Sequence, residues 1–204
     1  MFRIDVKTPI RQYVNTPNSK TKSSSMQSLL QFSTGVDILN RWIAWIASGC
    51  VLLACLVSAG NAGLRYTFSL GSNAWLELQW YLFAYMVMLG AAFVLKANEH
   101  VRVDLIYGPL STRAKIWVDL LGLLIFLMPA TLYLLYLCVG PATDAFHSGE
   151  TSPNAGGLVR WPARTALPIG FALVALQGIS EIVKRIAMLT RHLPAESHYE
   201  RPLQ

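Results

Sequence analysis

Charge is scarce in this chain. Only 14% of its 204 residues are Asp, Glu, Lys or Arg, against about 25% in an ordinary soluble domain. A water-facing surface of this extent would need more. Cysteine is nearly absent as well. Cys50, Cys55 and Cys138 all lie in apolar runs. An odd count with no Cys-x-x-Cys pair argues against a disulfide framework or a cysteine zinc site, and the three read as small packing residues. The four histidines, His100, His147, His192 and His198, stand outside the long apolar runs, which argues against a haem held by axial histidines inside membrane helices. There is no Walker loop, no Rossmann glycine pattern and no His-Glu-x-x-His, and no serine in the setting of an elbow nucleophile. The sequence therefore carries no catalytic constellation, and the expectation is a chain that is not an enzyme and holds no metal or cofactor.

What is present is apolar: 53% of the residues are hydrophobic. A bilayer core about 30 Å thick is crossed by roughly 20 apolar residues in a helix. Four stretches qualify, at about 42–64, 75–95, 116–139 and 166–188. None has a charge at its centre, and each is too long and continuous for a surface helix. The fold class expected is an all-α membrane protein with four transmembrane helices.

The net charge of +6 would raise nucleic acid as a partner in a soluble chain. Here its distribution speaks of topology instead, and no nucleic-acid partner is expected. Of 17 Lys and Arg residues, 14 lie before the first span, between the second and third, or after the fourth. Arg65, Arg160 and Arg164 alone occupy the other two links. Positive residues stay on the cytoplasmic side, so both chain ends and the middle link are expected inside the cell. Trp42, Trp45, Trp75, Trp80, Tyr81, Trp117 and Trp161 fall near span ends, the depth that amphipathic rings prefer.

Residues 1–25 are polar and read as a disordered extension, and 191–204 as a disordered tail. Met26 is a candidate start, because the chain turns apolar just after it. In residues 26–41, Leu29, Leu30, Phe32, Val36 and Leu39 suit either an interfacial helix lying on the membrane or an extension of the first span.

Polar residues near the membrane are the functional candidates. Glu77 and Arg65 flank the short first link and are placed either to pair or to sit separately in the headgroup layer. Asn61 and Gln79 lie near the same end and suit interhelical hydrogen bonds worth about 0.6 kcal/mol each. Glu181 lies near the cytoplasmic end of span four, followed by Lys184 and Arg185 at the spacings of a local ion pair. Asp119 opens span three beside Arg113 and Lys115. Pro129 is expected to kink that span. Gly90, Ala91 and Ala92, and Ala59 with Gly63, would let helices approach closely.

Two links are more than connectors in composition. The middle one packs Glu99, His100, Arg102 and Asp104 among Val101, Val103 and Leu105, an alternation suited to an interface. The third carries Glu150, Pro153 and Gly156-Gly157, then Arg160, Trp161 and Arg164, with the glycines and proline specifying tight turns.

These segments carry a resemblance. Asn61-Ala-Gly-Leu-Arg-Tyr-Thr-Phe68, Trp75 with Glu77 to Phe83, Leu89-Gly-Ala-Ala92, His100-Val-Arg-Val-Asp-Leu-Ile-Tyr107, Glu150 to Leu158, and Pro168-Ile-Gly-Phe171 to Gln177-Gly-Ile-Ser-Glu181 together resemble the small membrane subunit, the DctQ-like component, of tripartite ATP-independent periplasmic (TRAP) transporters. The resemblance covers about residues 35–190. Leu78 departs from it, since many members have a second acid there, and the N-terminal extension is a further departure. The resemblance implies a bacterial inner-membrane scaffold subunit beside a large elevator-type membrane subunit that holds the substrate and sodium sites. It also implies a periplasmic substrate-binding protein that delivers an organic acid. On that basis Asn61, Arg65, Trp75, Glu77, Glu150, Arg160 and Arg164 are candidates for partner contact at the outer face. His100, Arg102, Asp104 and Glu181 are candidates for stabilising the cytoplasmic face, with membrane lipids around the whole. The competing readings are an autonomous small transporter or channel, which would need polar groups at mid-membrane beyond Ser48, Ser58 and Thr131, and the anchor of a redox complex.

Overall fold

The computed structural model describes residues 24–69, 71–97, 109–190 and 193. The helices are α1 (Ser24–Phe68), α2 (Asn73–Ala97), α3 (Thr112–Leu121), a π-helical segment (Gly122–Leu127), α4 (Met128–Ser148) and α5 (Trp161–Leu189). The run from Thr112 to Ser148 is continuous and forms one span, so four helices are long and apolar enough to cross a membrane. Residues 1–23 of the extension, the tail beyond Leu193, and His100, Arg102 and Asp104 of the middle link lie outside the described residues, while Ser24 and Ser25, read as the end of the disordered extension, are already helical in α1.

Local chemistry sets the helix ends. Ser69 has φ 53, a left-handed turn that stops α1. The Ser111 side chain accepts a hydrogen bond from the Ala114 N–H and opens α3. Gly149, with φ 62, closes α4, where a side chain would be strained. Pro162 sits in the first turn of α5, where its missing donor costs nothing.

Residues 26–41 do not form an element of their own. They are the first turns of the 45-residue α1 and run unbroken into the span. At Pro129 the structure shows a change of helical register. The proline lies in the first turn of α4, directly after the π segment. Widening that turn accommodates the absent Pro N–H, and Thr131 donates its hydroxyl back to the Leu127 carbonyl at 2.8 Å.

Small residues make the packing. Among the described residues, eight of the fifteen buried apolar ones are alanine, so backbones approach closely and the large side chains point outward, as membrane helices require. α5 is the hub: it packs against α1, α2, α3, the π segment and α4. A Cβ on Gly170 would lie 2.5 Å from Met88 Cβ, and one on Gly178 would lie 2.9 Å from Met128 Sδ. Neither site admits a side chain without displacement. Of the expected small-residue contacts, Gly90 does meet Ala47, at 4.0 Å from its would-be Cβ. Gly63 meets nothing, and Ala59 is exposed.

Charged residues gather in two layers. One contains Asp37, Arg41, Lys96, Asp119, Glu181, Lys184 and Arg185; the other contains Arg65, Glu77, Glu150, Arg160 and Arg164. Along the third span, Asp119 and Pro141 are separated by about 33 Å, and these two residues meet arginines of opposite layers. That separation matches a hydrocarbon core.

Candidate functional site

The layer around Glu77 is built by the third link. Leaving α4 at Gly149, the chain folds back on itself through a Thr151–Val159 antiparallel bridge. The Ser152 N–H donates to the Leu158 carbonyl at 2.9 Å, and the Arg160 N–H to the Glu150 carbonyl at 2.9 Å. Gly156, at φ 72, makes the tip. This small hairpin closes over Glu77. The Ser152 hydroxyl donates to Glu77 Oε1, as does Asn154 Nδ2 at 2.9 Å, and the Leu158 N–H donates to Oε2 at 2.7 Å. Three donors take most of the roughly four acceptor sites of a carboxylate. A Cβ on Gly157 would stand 2.9 Å from Glu77 Oε1 and 2.5 Å from Ser152 Cβ, so only glycine fits there.

Glu77 is one member of a ladder on α2. Asn73 Nδ2 donates to the Ala155 carbonyl at 3.0 Å, Tyr81 Oη to the Val159 carbonyl at 3.1 Å, and Tyr85 Oη to the Pro162 carbonyl at 2.8 Å. Asn73, Glu77, Tyr81 and Tyr85 are spaced by four, so one helix face fastens the whole link from Ala155 to Pro162. Beside it, Arg160 and Arg164 reach Glu150 at 2.6 and 3.0 Å. These side chains are about one-third to two-fifths exposed, so the pairs shape the surface more than they stabilise it.

Of the two arrangements open to Glu77 and Arg65, the direct pair does not form. The carboxylate is taken by the hairpin, and Arg65 stays exposed in the last turn of α1. Asn61 is partly covered, and Trp75 is exposed on the turn that opens α2. The structure thus unites Glu77 with the third link, gathers Glu150, Arg160 and Arg164 beside it, and leaves Asn61, Arg65 and Trp75 apart from that network.

The opposite layer is a buried cluster that joins all four spans. Glu181 accepts from Lys184 Nζ at 2.6 Å and from Arg185 Nη1 at 2.9 Å, the local pairs that its spacing predicts. The cluster extends well beyond them. Lys184 Nζ also meets Asp37 Oδ1 at 2.8 Å, and Arg185 Nε meets Asp119 Oδ2 at 3.5 Å. Gln177 Nε2 donates to Asp37 and to Glu181, each at 3.0 Å, while Gln177 Oε1 accepts from Asn40 Nδ2 at 2.7 Å. The Ser33 and Ser180 hydroxyls are 2.7 Å apart. Lys96 Nζ on α2 donates to the Asp37 carbonyl at 3.1 Å. Buried charges persist only when they are paired and bonded to this degree.

Asp37, Asn40 and Ser33 escape sequence reasoning, because they precede the apolar run and look like part of a surface helix. Their spacing of three and four was the available signal: it places all three on one helical face. The spacing of four from Asn73 through Glu77 and Tyr81 to Tyr85 is an equally visible sign in the sequence.

Four apolar spans with a polar layer at either end and no charge between the layers describe a membrane-spanning bundle. The family model for tripartite ATP-independent periplasmic transporters, DctQ component, matches residues 54–188. The chain belongs to this family. It is a multi-pass inner-membrane protein and a TRAP transporter component, and its family is a transport family, not one of enzymes. No curated protein and no solved structure matches the chain. In this DctQ component Glu77, Glu150, Arg160 and Arg164 lie in one polar layer and Glu181 in the other.

Proposed function

We propose that this DctQ component is the fixed, non-catalytic scaffold of its transporter, oriented with both ends in the cytoplasm. In this reading it supports a large elevator-type subunit that takes up an organic acid with sodium. A periplasmic binding protein delivers that substrate, and the hairpin over Glu77 is part of the outer face that partners meet.

One observation carries this reading. Between Arg41 and Arg65, Glu77 and Lys96, Asp119 and Asp144, and Arg164 and Glu181, the four spans contain no Asp, Glu, Lys, Arg or His. A chain that itself moved an organic anion would need polar or charged groups at mid-membrane. Most of the charges in the two layers instead hold helices and the third link together, as suits a support.

The test is a mild-detergent pull-down of the tagged chain from its native membrane, with every co-purifying chain identified. A large polytopic chain in fixed ratio is the expected result. A lone chain or homo-oligomer that moves solute in liposomes would overturn the proposal. Charge reversal at Glu77 and at Arg160 adds a second check: assembly and uptake are expected to fall together.

A further inference from the structure

α4 packs on α5 and on its own π segment, without comparable contact to α1 or α2. Most of its lateral surface is therefore uncovered. On that surface Ala130, Tyr133, Leu137, Gly140, Asp144 and His147 follow one another at spacings of three and four, and all six are exposed. This is the seam spacing of a helix that receives another helix. Gly140 and Ala130 are the small positions at which two backbones can come close.

Tyr133 in the seam and Tyr136 at its edge give this face its chemistry. Tyr133 and Tyr136 are 62% and 78% exposed. Neither hydroxyl has a hydrogen-bond partner among the described residues, whereas Tyr81 and Tyr85 on α2 both do. Tyr133 lies about 21 Å along the helix from Asp119 and about 12 Å from Pro141. That depth is inside the hydrocarbon layer, where lipid tails offer no acceptor and an unpaired polar group is costly. Other hydroxyls at such depth turn back on their own helix: Ser48 donates to the Ala44 carbonyl and Thr131 to the Leu127 carbonyl. A phenol cannot reach back in this way. The outward face of α1 presents a contrast. Ile46, Leu52, Leu53 and Leu56 are exposed there without one polar atom in their side chains, as contact with lipid requires.

We infer that the Tyr133–Tyr136 face of α4 is the docking surface for a transmembrane helix of the large subunit, one that offers oxygen acceptors to both phenols. This rests on the scaffold reading above and adds to it the face and the chemistry of the contact. Asp144 and His147 end the seam beyond the hydrocarbon layer, where water or a partner's polar groups can meet them.

The experiment places the photo-crosslinker p-benzoylphenylalanine at Ala130, Tyr136 or Leu137, and separately at Leu52 or Leu56, in the full chain within native membranes. Crosslinks to a large polytopic chain from the α4 positions, with only lipid adducts from α1, are expected. The double variant Tyr133→Phe/Tyr136→Phe, which keeps both rings, should weaken retention of that chain by roughly eightfold, from two membrane hydrogen bonds of average strength. Crosslinks from α1 and not α4, or lipid adducts alone from α4 while the large chain still co-purifies, would overturn the docking face and leave the scaffold reading intact. A crosslink from α4 to a second copy of this chain would also overturn it. If no large chain co-purifies at all, both proposals fail together.

Discussion

Lys184 Nζ lies 2.8 Å from Asp37 Oδ1, with both side chains more than nine-tenths buried. The contact joins residues 147 positions apart and ties the first span to the last. Removing Lys184 leaves Asp37 buried with only the neutral donors of Gln177 and Ser180, whereas removing Asp37 leaves Lys184 with Glu181. Lys184→Ala should therefore destabilise the protein by about 3–5 kcal/mol, and Asp37→Ala by less. The double replacement should cost much less than the sum of the two. Thermal unfolding of the four proteins in one detergent gives the coupling directly, and additive losses would show that the two residues act separately.

Gly170→Ala puts a methyl group where Met88 Cβ already stands, with 2.5 Å between them. Overpacking of this kind costs about 1–3 kcal/mol. Met88→Ala in the same chain removes the flexible end of the obstacle and should return part of that loss. A melting temperature unchanged by Gly170→Ala would mean that α2 and α5 sit further apart.

The hairpin over Glu77 depends on the carboxylate that it encloses. Glu77→Gln keeps the shape, loses the charge and offers a donor where three donors already point. Gly157→Ala fills the space between the loop and the carboxylate. Either change should speed amide exchange at Leu158 by roughly tenfold or more, since a local opening need not unfold the helices. Unchanged protection at Leu158 in both variants would refute the clamp.

Topology has its own check. Cysteine placed at Thr151 should react with a membrane-impermeant thiol reagent added outside intact inner-membrane-exposed cells, and cysteine at Ser111 should react only after permeabilisation. The background needs Cys50, Cys55 and Cys138, all free thiols, replaced by alanine or serine. The reverse pattern would put both ends of the chain outside and undo the orientation argued from Lys and Arg.

The four spans were legible because hydropathy reports lipid exposure, and lipid exposure is what long apolar runs are for. Glu181 with Lys184 and Arg185 was legible because a helix brings residues three and four apart together. The rest of that cluster was not. Asp37, Asn40 and Ser33 meet α5 only after the chain has crossed the membrane and returned, and no spacing along the sequence encodes that meeting. Closeness in the chain misled at Glu77. Arg65 is the nearest cation across the short first link, yet three donors from a hairpin some 75 to 81 residues later occupy the carboxylate. Pro129 announced a disturbance in the third span, but not its form, a widened turn placed before the proline.

The clasp between Glu77 and the third link also has a mechanical side. A loop fastened at Asn73, Glu77, Tyr81 and Tyr85 has little slack with which to absorb a push or a pull. Load applied at its tip passes into the shaft of α2, and through the tight Met88–Gly170 crossing into α5. Whatever rests on that tip therefore rests on the helices themselves, and meets a stiff post instead of a spring.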